Sequence, residues 1–344
     1  MTTGVRAGRL RPARTPPGLE RVEVVVTTTT TSEAVAGTSA AAGAVRSRRS
    51  GRIERDRQRW GWFFLTPFTL VFLVFLVAPL GYAFWMSLHT STLVGGESFT
   101  GFDNYQRAFT DPLFLGGLGR VALFVAVMVP IQLGVALAAA LVLDTLVTRL
   151  SKFSRLVIFV PYAVPAMIGA LMWGFLYSPR FGPATDLFSL FGATAPNFLA
   201  PGTVFGSLVN IVTWQWSGYY MIIIYAALRG IDPSVYEAAR IDGASGRQIA
   251  LRIKVPMISA ALVMVVVFSL IGTLQFFTEP HILRNVASGA IPVHYTPNMY
   301  AHGLAFSYQQ FNYASTISFA LGAVVFAFSY IFLFITRKKS GLSS

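Results

Sequence analysis

The sequence predicts an all-α, polytopic membrane protein with six transmembrane helices, and three observations carry that prediction. Hydrophobic residues fill 54% of the 344 positions and charged residues only 12%, about half the charged share of a soluble domain. Apolar runs recur along the chain, six of them near the ~20 residues that cross a bilayer. Basic residues gather in alternate loops between those runs, as membrane topology requires.

Residues 1–59 open the chain as a low-complexity tail, with Thr27 to Thr31 in a row and Ala40, Ala41 and Ala42 nearby. Too little of it is apolar to build a core, so a disordered, basic cytoplasmic tail is expected. Arg46, Arg48, Arg49, Arg52, Arg55, Arg57 and Arg59 close it, diluted by Glu54 and Asp56. Their place directly before Trp60 reads as a topology anchor in preference to an acidic-lipid or nucleic-acid patch. The first span is expected from Trp62 to Leu88; it is too long for a signal peptide and lacks a small-residue cleavage site. The second is expected at Val121–Leu143, the third at Leu156–Leu176 and the fourth at Val204–Leu228. The fifth falls at Met257–Phe277 and the sixth at Tyr313–Thr336, leaving 338–344 as a short cytoplasmic tail.

Orientation follows from charge. One set of loops holds the Arg46–Arg59 cluster, Arg149, Lys152 and Arg155, then Arg229, Arg240, Arg247, Arg252 and Lys254, then Arg337, Lys338 and Lys339. The other set holds Arg107, Arg180 and Arg284, with Arg120 at a span mouth. Both termini and the 232–256 loop are therefore expected in the cytoplasm, which an even number of spans also demands. The net charge of +13 belongs to these span flanks, so no nucleic-acid partner is expected.

Several chemistries lack their residues. With no cysteine there is no disulfide, thiolate metal site or cysteine nucleophile. Lys152, Lys254, Lys338 and Lys339 are the lysines and none follows glycine, so no Gly-Lys-Ser/Thr phosphate loop exists. His89, His281, His294 and His302 do not make the i, i+4 pair of zinc hydrolases. No Gly-x-Ser-x-Gly elbow or other catalytic cluster is present, so neither an enzyme nor a metal site is expected.

Between the fourth and fifth apolar runs lies a polar island, Tyr236 to Ala244, running on through Ile253 to Pro256. Ser234 and Glu237 have capping-box spacing, and Pro233 suits a first helical turn. Gly243 can take the left-handed conformation that ends such a helix. Ser245 and Gln248 open a second capped turn, which Pro256 is expected to close. Glu237-Ala238-Ala239, three residues, Gly243, nine residues, Ile253 and Pro256 resemble the signature loop of binding-protein-dependent ABC importer permeases. Val255 stands where that pattern has leucine.

The resemblance runs from about 60 to 336 and points to the carbohydrate-uptake, maltose-type permeases. Pro79 and Ser87, then Phe99-Thr100-Gly101, Asn104-Tyr105 and Asp111-Pro112, resemble their first span and outer loop. Arg155, Pro161-Tyr162, Pro165 and Trp173 resemble their third span. Gly119-Arg120 and Thr185 depart from the pattern at the outer rim. The resemblance implies a type I ABC importer transmembrane domain over 60–337, in a bacterial cytoplasmic membrane. It implies a second homologous permease, two ATPase subunits that use ATP and Mg, and an extracytoplasmic solute-binding protein, with no cofactor in this chain. Glu237, Ala238, Ala239, Asp242, Gly243, Ile253 and Pro256 would then form the ATPase-coupling loop.

Polar residues inside spans are expensive and mark a pathway. The fourth span carries Asn210, Trp214, Gln215, Trp216, Ser217, Tyr219 and Tyr220; the fifth carries Ser269, Thr273 and Gln275 beside Phe276 and Phe277. Aromatic faces with amide or hydroxyl groups suit a sugar. Carrying over the maltose-type contacts along the signature loop falls on Trp216, Tyr219, Ser269, Thr273 and Phe276, and Gln275 completes the candidate pathway. Thr273 and Phe276 replace amides of the maltose permease, so maltose itself is not implied. Helix packing is the other reading of each residue. A polyol or glycerol 3-phosphate is the alternative cargo. A stand-alone secondary transporter would need intramembrane carboxylates or a repeat, and Asp144 and Glu279 fall at span edges.

Overall fold

Long apolar helices dominate the computed structural model, which describes residues 60–92, 95–145, 149–180 and 182–337. The expectations for the 1–59 and 338–344 tails lie outside the described residues. The chain divides into two units, residues 1–73 and 74–344. In the first, residues 60–73 are helical, with Trp62, Phe63, Phe64 and Phe68 exposed. Continuous exposed apolar surface of this kind suits lipid.

The second unit begins with a π-turn and α1 (Ala78–Ser87), then the antiparallel hairpin β1 (His89–Thr92) and β2 (Gly96–Phe99), with Ser91 opposite Glu97. A short α2 (Asp103–Ala108) leads into α3 (Pro112–Thr145), whose 34 residues make about 51 Å of helix. Then come α4 (Arg149–Ala163), α5 (Ala166–Leu176), α6 (Pro183–Leu190) and α7 (Val204–Arg229). The polar island supplies α8 (Pro233–Ile241), α9 (Gly246–Gln248), a π-turn at Ile249–Lys254 and α10 (Val255–Met257). α11 (Ser259–Leu274), α12 (Thr278–Leu283), α13 (Pro297–His302) and α14 (Phe311–Arg337) complete it.

Among the described residues, four helices are long and apolar enough to cross a membrane: Trp60–Ser87, Pro112–Thr145, Ser259–Leu283 and Phe311–Phe332. The expected third span is broken: Phe153–Ala163 and Ala166–Leu176 meet at a bend of 96°. Pro165 lacks an N–H and forces Val164 out of the helical region. The carbonyl of Val164 is taken up by Gln215 Nε2 at 2.8 Å. The expected fourth span is α7, whose 26 residues are long enough at about 39 Å. Its amides, hydroxyls and indoles keep it out of the apolar class, so length alone supports it as a span. Burial explains the tolerance: Ile211, Met221 and Ile224 are fully buried, and Ser207, Gln215 and Ser217 are buried with them.

α7 packs on α3 and α4, with α11 against α3 and α7. A Cβ built on Gly218 would overlap the Ile158 carbonyl and lie 3.0 Å from Phe159 Cα. The backbones of α4 and α7 thus touch there, which a small residue alone permits. One apolar cluster joins Phe124, Met128, Leu208, Ile211, Leu283 and Met299; a second joins Ala136, Ala140, Tyr220, Ile224 and Val265.

Candidate functional site

Two places draw together the residues expected to act. The first is a cavity of about 460 Å³ bounded by α3, α4, α7, α11 and the start of α12. All six pathway candidates line it: Trp216 and Tyr219 from α7, Ser269 and Thr273 from α11, and Gln275 and Phe276 from the break after α11. Periodicity explains the convergence, because residues three or four apart share a helix face. One wall is aromatic. Tyr162 stacks on Tyr219 at 4.7 Å between ring centroids and meets Trp216 edge-on at 5.4 Å, and Trp216 stacks on Tyr220 at 6.2 Å. The other wall is bonded to itself: Ser269 Oγ donates to Gln132 Oε1 at 2.5 Å, and Thr273 Oγ1 donates to the Ser269 carbonyl at 2.7 Å.

Gln132, Tyr162, Tyr220 and Glu279 also line this cavity. Tyr220 stood in the polar block of the fourth span, Tyr162 in the motif that resembles the family's third span, and Gln132 in the expected second span without a role of its own. Glu279, which the sequence places at a span edge, is buried in the first turn of α12 against the cavity. Among the described residues no Lys, Arg or His lines it. Three other polar residues of α7 go elsewhere. Asn210 donates to the Tyr177 hydroxyl at 2.7 Å, Trp214 meets Trp173 edge-on, and Gln215 holds Val164.

The second place is the polar island. The cap of α8 is Asp232, whose carboxylate accepts from Ser234 N at 2.9 Å, so the expected Ser234–Glu237 box is displaced by one earlier cap. That backbone bond, with the Ser234 hydroxyl, holds the Asp232 carboxyl below its ordinary range. Glu237 is left exposed and unspent. The far end is a Schellman turn: Gly243 N bonds to Arg240 O at 3.0 Å and Ala244 N to Ala239 O at 2.9 Å. Gly243 has φ +82°, where a side chain is strained. Ser245 and Gln248 form the reciprocal capping box as expected, with Ser245 N donating to Gln248 Oε1 at 2.7 Å.

Pro256 does not close that second helix. The chain widens into the π-turn Ile249–Lys254 and continues, with Pro256 in the first turn of α10, where its missing N–H costs nothing. The result is a knuckle that exposes Glu237, Ala238, Asp242, Gly243 and Pro256, leaves Ala239 and Ile253 half-buried, and bares Ile241 at 86%. A bare isoleucine beside charged groups on a structured turn has the make-up of a docking surface.

At the opposite ends of the spans, Arg120 donates to the carbonyls of His294 and Tyr295 at 3.3 and 3.1 Å, so this departure from the expected pattern ties the 294–295 segment to α3. Among the described residues no three His, Asp or Glu gather as a metal would require.

The protein-family model for the binding-protein-dependent transport system inner membrane component matches residues 132–338. The lactose transport system permease protein LacF of Rhizobium radiobacter is 31% identical over 81% of this chain and 94% of its own. The diacetylchitobiose uptake system permease protein NgcF of Streptomyces coelicolor is 28% identical over 88% of each. A chain of the bacterial alginate ABC transporter in complex with an alginate pentasaccharide-bound periplasmic protein superposes with a TM-score of 0.71 over 85% of this chain and 98% of its own, at 20% identity, and so shares the fold. With the signature knuckle and the span arrangement already in place, the chain belongs to the family of binding-protein-dependent transport system inner membrane components.

Proposed function

We propose that this chain is the permease subunit of a bacterial ABC importer and forms half of the membrane pathway for an uncharged sugar or oligosaccharide. The observation that carries the cargo class is the shared cavity. Stacked aromatic rings face buried hydroxyl and amide groups there, with one carboxylate and no basic side chain. A saccharide offers C–H faces to the rings and hydroxyls to the polar wall. Glycerol 3-phosphate would enter a cavity holding Glu279 and no cation, so a phosphate would lose its hydration without a partner. The sugar and oligosaccharide permeases among the relatives support the same class.

Both termini and the 232–256 loop face the cytoplasm in this reading, on the strength of the basic loops. A second homologous permease completes the pathway, an extracytoplasmic binding protein delivers the cargo, and two ATPase subunits hydrolyse ATP with Mg. The knuckle docks on an ATPase through Glu237, Ala238, Ala239, Asp242, Gly243, Ile253 and Pro256, with no cofactor held in this chain. Differential contact at this loop in the two nucleotide states turns the spans between inward-open and outward-open.

The test is uptake by proteoliposomes holding the permease pair, the ATPase and the binding protein. Radiolabelled sugar should enter only with ATP and the binding protein, and Trp216→Ala should lower the rate. Uptake by the permease alone, driven by an ion gradient, would overturn the assignment.

A further inference from the structure

At the membrane edge of the knuckle, three elements meet on one charge. Lys254 ends the π-turn; its ammonium pairs with the carboxylate of Asp144 at the end of α3, and the two side chains are 10% and 7% exposed. The same ammonium lies 4.6 Å from the ring centroid of Tyr236, on α8. The Tyr236 hydroxyl is buried without a hydrogen-bond partner. Burial, then the nearby Asp144 charge, raises its pKa, with Arg229 opposing.

α8 has little else to hold it. None of its residues is fully buried: Val235, Tyr236 and Ala239 are half-buried and Ile241 is bare. Its apolar face is therefore only partly covered and fixes it less firmly than a fully packed one would. A buried charge pair is stiff in the relevant sense: parting it, or deleting one member, leaves an uncompensated charge in a dry site. The cation–π contact extends that stiffness to α8.

We propose that Asp144, Lys254 and Tyr236 form a strut that makes the coupling knuckle and the cytoplasmic end of the second span move as one body, with Asp144 and Lys254 paired throughout the transport cycle. They are positioning residues: they touch neither cargo nor ATP. The proposal rests on the knuckle being the ATPase docking site. A free hinge between α8 and α3 would let ATPase closure move the knuckle without moving the spans.

The experiment uses the full importer in proteoliposomes and reads sugar imported per ATP hydrolysed. Asp144→Asn and Lys254→Met should keep the ATPase bound yet lower that ratio about tenfold, the size of a typical coupling energy. The charge-reversed pair, Asp144→Lys with Lys254→Asp, should recover most of it, as should Lys254→Arg. Because the chain has no cysteine, Asp144→Cys with Lys254→Cys can be bridged by a short bis-methanethiosulfonate without background from this chain, with the partner subunits supplied in cysteine-free form. Bridging should raise the ratio of that double variant, since the two positions need not part. This measurement also carries the test if a single variant fails to insert. Wild-type ratios in both single variants, or arrest of transport on bridging, would overturn the strut. Failure of the unaltered permease to retain an ATPase is a separate result, and it would remove the docking reading together with the strut's role.

Discussion

Ser269 and Gln132 are joined hydroxyl to amide at 2.5 Å, across the fifth and second spans and inside the wall of the cavity. Ser269 is 2% exposed and Gln132 equally so, so this bond sets the spacing of α3 and α11 before any cargo arrives. Interhelical hydrogen bonds between membrane helices contribute about 0.6 kcal/mol on average and up to about 1.7. Ser269→Ala should therefore lower the melting temperature of the detergent-purified protein by a few degrees. Gln132→Ala should do the same, and the double variant should cost little more than either single. Additive losses would mean that the two side chains act independently.

The cavity's electrostatics make a separate prediction. Glu279 is the carboxylate of a lining that has no cation, so Glu279→Gln should leave uptake of an uncharged sugar within a few-fold of the wild type. Trp216→Ala removes a face of the aromatic wall, which offers more contact than any single hydroxyl; a loss of about 1.4 kcal/mol would slow uptake tenfold. The measurement is initial uptake rate at matched ATPase content. Equal rates for Trp216→Ala and the wild type would move the cargo path out of this cavity.

Much of this was legible in the sequence, and the failures have physical causes. The apolar runs specify helices because a backbone in lipid must satisfy itself. Trp216 with Tyr219 and Ser269 with Thr273 converge because residues three or four apart share a helix face, while Gln275 and Phe276 reach the cavity from the break after α11. The break at Val164 was signalled by Pro165, but proline alone does not say whether a span kinks or stops. Gln132 was missed, and Tyr162 was named only in the third-span motif and not as a pathway residue, because one polar residue in an apolar run carries no pattern of its own. The cap of α8 was misplaced by two residues: Asp232 and Ser234 both have acceptor side chains, and only the backbone shows which one is used. Pro256 was read as a stop because a π-turn, which lets the helix run on past it, leaves no sequence signature.

Gly218 lies where the backbones of α4 and α7 meet, and a side chain there would overlap the Ile158 carbonyl. Gly218→Ala forces the helices apart, and overpacking of this kind costs about 1–3 kcal/mol. The same shift would disturb the stacked pair Tyr162 and Tyr219, one helix face away. Lower yield of folded protein and slower uptake should appear together. Normal melting in Gly218→Ala would show that the two helices can separate freely.

Asp111 accepts hydrogen bonds from Tyr300 at 2.8 Å and Tyr313 at 2.9 Å, tying the start of α3 to α13 and α14. Burial raises its pKa, but these bonds and the backbone N–H groups of Leu113 and Phe114 outweigh it, so the carboxyl stays below its ordinary 3.8. A depressed carboxyl pKa stabilises the fold above pH 3.8 and stops doing so as pH falls through the lower folded value. The Tyr300 hydroxyl is shifted the other way, by burial first and by its bond to Asp111 next. Its contribution holds below pH 10 and fades as alkali ionises it. Asp111→Asn should melt lower than the wild type at pH 7, with the gap closing below pH 3.8. A gap that persists there would assign the loss to packing.

The knuckle's two ends call for different variants. Gly243 sits at φ +82° with open space around its α-carbon, so conformation alone limits what it tolerates. Placing a β-carbon there costs about 1–2 kcal/mol, enough to unwind the Schellman turn and release Ala244 from Ala239. Glu237 is exposed and makes no internal bond that its loss would break, so Glu237→Ala should leave melting temperature and membrane insertion unchanged. Gly243→Asp should likewise insert, because the turn lies outside every span. Both should nonetheless abolish ATP-driven uptake, and Glu237→Ala should reduce ATPase recovered with the affinity-purified permease. Full transport by either variant would falsify the docking role of this turn.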